Sequence, residues 1–482
     1  VLASALALWI LAADPVTAPP PAAPPPAPAQ EAPPEVAPAP APVPAVVDAA
    51  PAPAAASTAA ASTGAHPTRF RGALESLVMS FPSGAPDEAG DPGKQDVFVT
   101  ALPLLGFDGG DDFGFELGAE LRLRLFDDPP AQKDRDYGRL IRREDWDETS
   151  DFGQILRELR IGPEEGVFSV RAGPMLNQSL GHGHLVSRYS NRDNPNYHPS
   201  GVFTHLVLGP TRTEFLASDF LAARLFAAEI SVDMGRILSS DAGQTDRYHL
   251  AFSFAHDNGA TGFGTPPLTL LHTDFDAALY RGAEARVFAF IGMGSRIFVP
   301  EAFLGGNLGL SVEGTPAGTA IGGKAELRKQ YGGFRQGMFG AGYELSRYSA
   351  VGRNGVPLAD DRLGDGFSGY AEFWVASGPE EGTASRISFS SAGEYFSFDG
   401  RVDADATIAV RLMGGRLLTN GRLVVTGVGL QPRYLATGEA RFRFASAFYA
   451  MVSAGTVFFP QPDRSLLRGV YAGAGVGVDF ER

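Results

Sequence analysis

Residues 113–126 read FGFELGAELRLRLF, and this alternation restricts the fold more than any other feature of the chain. Phe113, Phe115, Leu117, Ala119, Leu121, Leu123 and Leu125 take one set of positions. Gly114, Glu116, Gly118, Glu120, Arg122 and Arg124 take the other. A period of two belongs to an extended strand with one apolar and one charged face. No three-four spacing of apolar residues survives here to support a helix. Two environments suit such a strand. A soluble sheet packs its apolar face on a core and wets the other. A membrane barrel turns the apolar face to lipid and the charged face to a wet lumen.

The same pattern recurs from about residue 95 to 480, in VFSVRAG (167–173), GKAELRK (323–329), TIAVRLM (407–413) and GEARFRF (438–444). FGAGYELS (339–346) alternates too. GPEEG (162–166), EGTPAG (313–318), GPEEGT (378–383) and TNGR (419–422) read as short turns. Longer polar insertions fall at 127–151, 177–200, 235–246, 256–269 and 349–366. Short turns on one rim and longer loops on the other belong to an up-and-down barrel. Within hydrocarbon every backbone N–H and C=O needs a partner, so a sheet spans only when closed. The expected fold is all-β, a closed antiparallel up-and-down transmembrane β-barrel of about 16 strands, with 14 to 18 allowed. The rival is a soluble β-sandwich or β-helix, which needs stretches buried on both sheet faces. Glycines and small residues on the charged faces suit a crowded or narrow lumen instead.

The remaining composition agrees. The chain of 482 residues contains no cysteine, which excludes disulfides, thiolate metal sites and a cysteine nucleophile. Its net charge of −15 opposes a nucleic-acid partner, which needs a basic face. No run of apolar residues is long enough for a transmembrane helix. Residues 1–13, VLASALALWILAA, read as the remnant of a secretory signal peptide. Residues 14–66 hold 16 of the 37 prolines and no lysine or arginine. They are expected to form a disordered Pro/Ala-rich periplasmic linker, either a passive spacer or a tether. Residues 67–94 form a lead-in segment, a short helix or an irregular strand, before a barrel spanning 95–482.

The chain ends VYAGAGVGVDFER, with Val470, Ala472, Ala474, Val476, Val478 and Phe480 on one face. This resembles the last strand of bacterial outer-membrane β-barrel proteins, in which a glycine, alternating apolar residues and a near-terminal aromatic are read by the insertion machinery. Gly475, Val478 and Phe480 match that pattern. Glu481 and Arg482 after the aromatic depart from it. The resemblance is porin-like in architecture and points to no specific porin family. It implies the outer membrane of a Gram-negative bacterium, with the N-terminal tail in the periplasm. The implied partners are the lipid bilayer and that insertion machinery, with a periplasmic or cell-wall partner reached through the tail.

Alternation places charges of both signs on the inner face. Glu116, Glu120, Arg122, Arg124, Arg171, Lys324, Glu326, Arg328, Glu344, Glu372, Arg411, Glu439, Arg441 and Arg443 are the expected lumen lining. Such a lining is a selectivity surface or a ladder of structural ion pairs. NQSLGHGHLVSRYSNRDNPNYHPS (177–200) is the most distinctive loop, expected to fold inward as a constriction. Its candidate residues are His182, His184, Arg188, Tyr189, Asn191, Arg192, Asn194 and Tyr197. His182 and His184 share a strand face, but further metal ligands have no assignable source beyond Asp193 or His205, so no metal is expected. The acidic stretch 127–151 lacks a complete calcium loop. No GxSxG, HExxH, P-loop or strand-associated GxGxxG occurs, so neither catalysis nor a cofactor is expected. The expected function is a pore passing small polar solutes or ions through a charged lumen. The alternative is a non-conducting structural or assembly barrel of an envelope machine (surface anchor, export or motility) whose Pro-rich tail engages periplasmic partners.

Overall fold

Strand after strand pairs with its sequence neighbour in a single antiparallel sheet, and the last strand returns to the first. The structure, a computed structural model, describes residues 68–481 apart from 83–93, 111, 128–138, 165, 240–243, 260–266, 299–302, 348–363, 380–383 and 461–465. The signal remnant 1–13 and the linker 14–66 lie outside the described residues. The sheet contains 21 paired segments, of which Phe113–Gly118 and Leu121–Phe126 are two halves of one strand, both paired to Gln95–Asp108. The barrel therefore has 20 strands.

In chain order they are β1 (Arg69–Pro82), β2 (Gln95–Asp108), β3 (Phe113–Gly118 and Leu121–Phe126), β4 (Leu156–Ile161) and β5 (Phe168–Gly173). Then come β6 (Gly201–Leu208), β7 (Thr211–Ala217), β8 (Leu225–Asp233), β9 (Tyr248–Asp257) and β10 (Leu268–Arg281). Next are β11 (Ala285–Ile297), β12 (Phe303–Gly314), β13 (Ala320–Gln330), β14 (Gly366–Ser377) and β15 (Arg386–Phe396). The last are β16 (Arg401–Leu412), β17 (Leu417–Val428), β18 (Arg433–Arg443), β19 (Phe448–Pro460) and β20 (Leu466–Glu481). Closure is made by β1 and β20, in register from Arg71 opposite Glu481 to Ser80 opposite Ala472. The Phe480 ring lies over Gly72 on β1, where a side chain would collide with it.

Twenty strands replace the expected 16. The excess has two sources. Arg69–Pro82, expected as a short helix or an irregular strand of a lead-in, is a full wall strand, so the barrel begins well before residue 95. Several turns are also minimal: Gly209 and Pro210 alone join β6 to β7. Two expected elements are corrected. TNGR (419–422) is no turn but lies within β17, with Gly421 opposite Ile408 on one side and Gly438 on the other. FGAGYELS is no wall strand: Tyr343–Arg347 is a helical turn inside the barrel.

The outer face is apolar all round. Leu74, Val78, Leu123, Ile230, Phe252, Ile291, Leu308, Leu327, Ile408 and Val452, from nine strands, are each 40–58% exposed. A water-facing barrel does not carry such a belt, and a lipid-facing one requires it. Aromatic residues mark both edges. Phe70, Tyr280, Phe448 and Phe480 stand exposed near one rim, and Phe126, Phe367 and Tyr395 near the other. The opening strand's two faces are thereby assigned: Leu121, Leu123 and Leu125 meet lipid, and Arg122 is buried inside.

The rims differ. The start of β1, the end of β20 and the shortest turns share one rim, which is the periplasmic side of such barrels. Segment 235–246, expected among the long loops, lies on this short-turn rim and includes the helix Met234–Leu238. Segments 127–155, 174–200 and 331–365 leave the opposite rim. Their described parts turn inward. Met175, Leu180, Leu185, Val186 and Tyr189 pack with Phe334, Met338, Phe339 and Tyr343 against inner-wall Leu216, Leu225, Ala227, Ala255, Leu268 and Leu270. A short parallel bridge, Phe339 to Val186 and Gly340 to Ser187, ties two of these segments together.

Glycines on the wall make room for this filling. The Phe334 ring occupies the space that side chains at Gly294 of β11 and Gly305 of β12 would need. Gly305→Leu is expected to weaken the seating of segment 331–347 by about 1–3 kcal/mol through overpacking. Faster proteolysis of that segment, in a barrel that still migrates as folded on cold electrophoresis, is the expected readout.

Candidate functional site

The lumen is divided by depth. Toward the short-turn rim it holds a vestibule of about 1490 Å³, lined among others by Arg71, Glu164, Arg236, Thr315, Gly378 and Arg411. Of the residues expected to line the lumen, Glu116, Arg171, Lys324, Glu372, Arg411, Glu439 and Arg441 face this space. Toward the other rim the inward segments cover the wall.

The vestibule charges are largely paired. Arg71 Nη2 lies 3.4 Å from Glu116, and Arg441 Nη1 lies 2.9 Å from Glu75 and also bonds Glu439. Arg171 pairs with Glu164 in the adjoining turn. Arg411 donates to the carbonyls of Ala384 and Pro379 at 2.9 and 2.6 Å, so it braces a turn. Arg443, on the same wall, pairs with Asp479 of β20.

The other expected lining residues lie beneath the inward segments. Arg122 bonds Glu120 and reaches Asp145 on segment 139–155 at 2.5 Å. Arg124 pairs with Asp96 and Asp127, each at 2.9 Å. Glu326 and Arg328 pair at 2.8 Å, and Arg328 also reaches Glu394 at 2.9 Å. Glu344 is not on the wall at all; it sits on the inner helix Tyr343–Arg347, where its carboxylate accepts from Tyr189 Oη at 2.6 Å.

Segment 174–200 crosses the lumen. Arg188 is about 1% exposed and in the left-handed region, with φ of 56°. Non-glycine residues rarely adopt that conformation unless surroundings impose it. Its guanidinium donates to Asp405 Oδ2 at 2.8 Å through Nε, to Ser390 Oγ at 3.1 Å and to Glu372 at 3.3 Å. Burial opposes its charge, but Asp405 and Glu372 outweigh that and hold it charged. Asn191 donates to the Ser218 carbonyl at 2.7 Å and accepts from Met175 N–H at 2.8 Å. Arg192 donates to the Pro199 carbonyl at 2.8 Å, and Asn194 to that of Phe458 at 3.0 Å. The ring of Tyr197 carries the Arg224 guanidinium 4.3 Å from its centre. His182 Nε2 lies 3.0 Å from Asp276. Asp193 is engaged by Arg422, so it is no partner for the histidines.

Segment 139–155 adds a pH-sensitive contact. The fully buried Asp151 accepts from the backbone N–H of Glu148 at 2.9 Å and of His198 at 3.2 Å. Burial pushes its pKa up to about 7, against an ordinary 3.8. The folded segment thus holds a proton that the opened segment releases. Stability is full below pH 4 and falls as pH rises toward 7. The opening equilibrium is expected to grow up to about tenfold per pH unit across that window and level off above it. Hydrogen exchange of residues 143–155 checks this, and Asp151→Asn is expected to flatten the profile.

Several members of the inner ion-pair network are not among the expected lumen residues. Glu75 and Asp96 lie in or beside the segment read as a lead-in. Asp405, Glu394 and Asp403 pair with buried arginines; they share the inward face of Arg411 and of Ser388 and Ser390, so the alternation of their strands carries them as well. His272, Asp274 and Asp276 occupy successive inward positions of β10, a signal visible in HTDFD.

These features define a membrane-spanning β-barrel of the outer-membrane type, closed by 20 antiparallel strands and belted in apolar residues. No family model and no curated protein matches the sequence. Among solved structures the chain is similar to CdiB from Acinetobacter baumannii (8% identity, TM-score 0.28), over 86% of this chain but 60% of that one. It is similar to the outer membrane protein OprD from Pseudomonas aeruginosa (9% identity, TM-score 0.32), over 86% of this chain and 94% of that one. It is similar to Acinetobacter baumannii OccAB3 (7% identity, TM-score 0.34), over 86% and 99%. At such scores the class rests on the chain's own strand closure and apolar belt.

Proposed function

We propose that the barrel passes small polar solutes or ions, with segment 174–200 as a gate rather than a fixed constriction. The observation that carries this is the bridge from Arg188 to Asp405 and Glu372. It stands where a vestibule lined by both signs of charge meets the filled part of the lumen. Paired Arg and carboxylate groups on a wet wall suit transient contacts with polar solutes, and their balance sets ion preference. On the β7–β10 side the inward segments pack on the wall through apolar contacts, so widening the path there requires segment 174–200 to move. The last strand, with Gly475, Val478 and Phe480, is the proposed signal for the insertion machinery.

The buried apolar cluster around Val186 and Phe339 favours a second reading, a permanently closed structural barrel. Full-length protein in planar bilayers separates the two. Discrete openings with a defined reversal potential support the gated pore. Folded, inserted protein that never conducts under any voltage, with or without residues 14–66, supports the structural barrel.

A further inference from the structure

Beside the gate, two histidines and an aspartate meet without satisfying one another. His184 comes from the inward segment, and His272 and Asp274 from the wall strand β10; all three are 2–3% exposed. Their ligand atoms lie within 4.8 Å of one another. His184 Nδ1 is 3.3 Å and His272 Nδ1 3.4 Å from Asp274 Oδ2. Neither nitrogen is placed to make a hydrogen bond, and Asp274 Oδ1 has no partner either. Buried polar atoms in this state are costly, and three in one cluster call for an explanation.

A cation supplies one. Tetrahedral Zn²⁺ with bonds of about 2.0–2.1 Å sets its ligand atoms about 3.3–3.4 Å apart. The nitrogen-to-oxygen separations here have that value, which is long and misdirected for hydrogen bonds but right for edges of a coordination polyhedron. Outer-sphere partners are present as well. His272 Nε2 lies 3.2 Å from Asn307 Oδ1, the arrangement that protonates Nε2 and leaves Nδ1 free to ligate. His184 Nε2 contacts Asn307 Nδ2 at 2.9 Å, with Glu326 Oε1 4.0 Å away. Ligation through Nδ1 puts a proton on Nε2, so the Asn307 amide, which donates to Nε2 at 2.9 Å here, turns away when the ion binds, and Glu326 Oε1, 4.0 Å off, is the nearby carboxylate that then faces the proton. The partly exposed His182 and its buried partner Asp276 line the vestibule beside this cluster, giving an ion a way in.

We propose that His184 Nδ1, His272 Nδ1 and Asp274 bind one divalent transition-metal ion of the Zn²⁺ type, pinning segment 174–200 to β10. The site is mixed nitrogen and oxygen, suited to Zn²⁺, Co²⁺ or Ni²⁺ and poorly suited to Mg²⁺. It goes beyond the transport reading and stands even if the barrel never conducts.

The test uses full-length folded protein in detergent, stripped with chelator and titrated with Co²⁺, then with competing Zn²⁺. Saturation at one equivalent with visible ligand-field bands, displaced by Zn²⁺, is expected. His272→Gln and Asp274→Asn are each expected to weaken binding by more than the roughly 10–100-fold cost of losing an outer-sphere partner. His205→Gln, on a different part of the wall, is expected to leave it unchanged. Absence of saturable binding by folded wild-type protein overturns the proposal, whatever the variants do. So does binding that survives both His272→Gln and Asp274→Asn, which assigns the ion to other histidines.

Discussion

Arg188→Ala is expected to raise the open probability and single-channel conductance several-fold and to shift ion preference toward cations. The guanidinium joins segment 174–200 to β14, β15 and β16 at once, through Glu372, Ser390 and Asp405. Removing one partner of a buried ion pair typically costs about 3–5 kcal/mol, because the remaining charge is left without compensation. Here two carboxylates are left. The wall strands are held by their own ladders, so the cost falls on the segment. Its left-handed backbone at residue 188 is also freed to relax. The lumen then loses one positive charge, Asp405 and Glu372 lose the cation they share, and the path widens; each change favours cations. Asp405→Asn in the same background is expected to return the ion preference part of the way while conductance stays high. Reversal potentials in a salt gradient read this directly.

Leu308→Arg is expected to lower the folding free energy in lipid by about 2–4 kcal/mol, the cost of a charge on the lipid face near the bilayer midplane. Leu308 stands midway along β12, 58% exposed, opposite Ile291 of β11 and Leu327 of β13. All three point outward, so the arginine finds no carboxylate beside it and no water. Ser388→Arg on β15, which faces the vestibule, is expected to cost far less, because its guanidinium remains hydrated. Urea titrations of folding into vesicles compare the two. Equal effects would contradict the assignment of faces.

The face assignments were legible because lipid and lumen impose opposite chemistry on alternate residues. Arg411 between Val410 and Leu412, and Leu327 between Glu326 and Arg328, carry that signature without ambiguity. The strand count was not legible, because hydrogen-bonded turns leave uneven traces. The turn between β16 and β17 is marked by Gly414 and Gly415, with φ of 67° and 80°. TNGR, which begins four residues after Gly415, has turn composition yet stays extended, since neighbours on both sides supply ladder partners. FGAGYELS shows the converse. It alternates like a strand, but burial against Val186 and Leu435 inside the barrel overrides the pattern.

The inward course of 174–200 was foreshadowed by its Arg, Asn and Tyr content, which needs partners that bulk solvent does not hold in place. Which partners was beyond reach. Arg188 meets residues about 200 positions away, and no spacing encodes that. The histidines illustrate the same limit: Asp193 and His205 were the nearest candidate ligands along the chain, whereas folding brings His272 and Asp274.

The central claim is a lipid-belted barrel whose wet inner face alternates with its outer face residue by residue. The absence of native cysteine makes the direct measurement simple. Ile230→Cys and Ser231→Cys, adjacent on β8, are each placed alone in protein folded into vesicles and treated with a water-soluble, membrane-impermeant maleimide. Ser231 faces the vestibule and Ile230 is 47% exposed on the outer belt. Labelling at 231 and protection at 230, reversed with a lipid-soluble quencher, is the predicted result. Labelling at 230 with protection at 231, or equal labelling of both, would contradict the account.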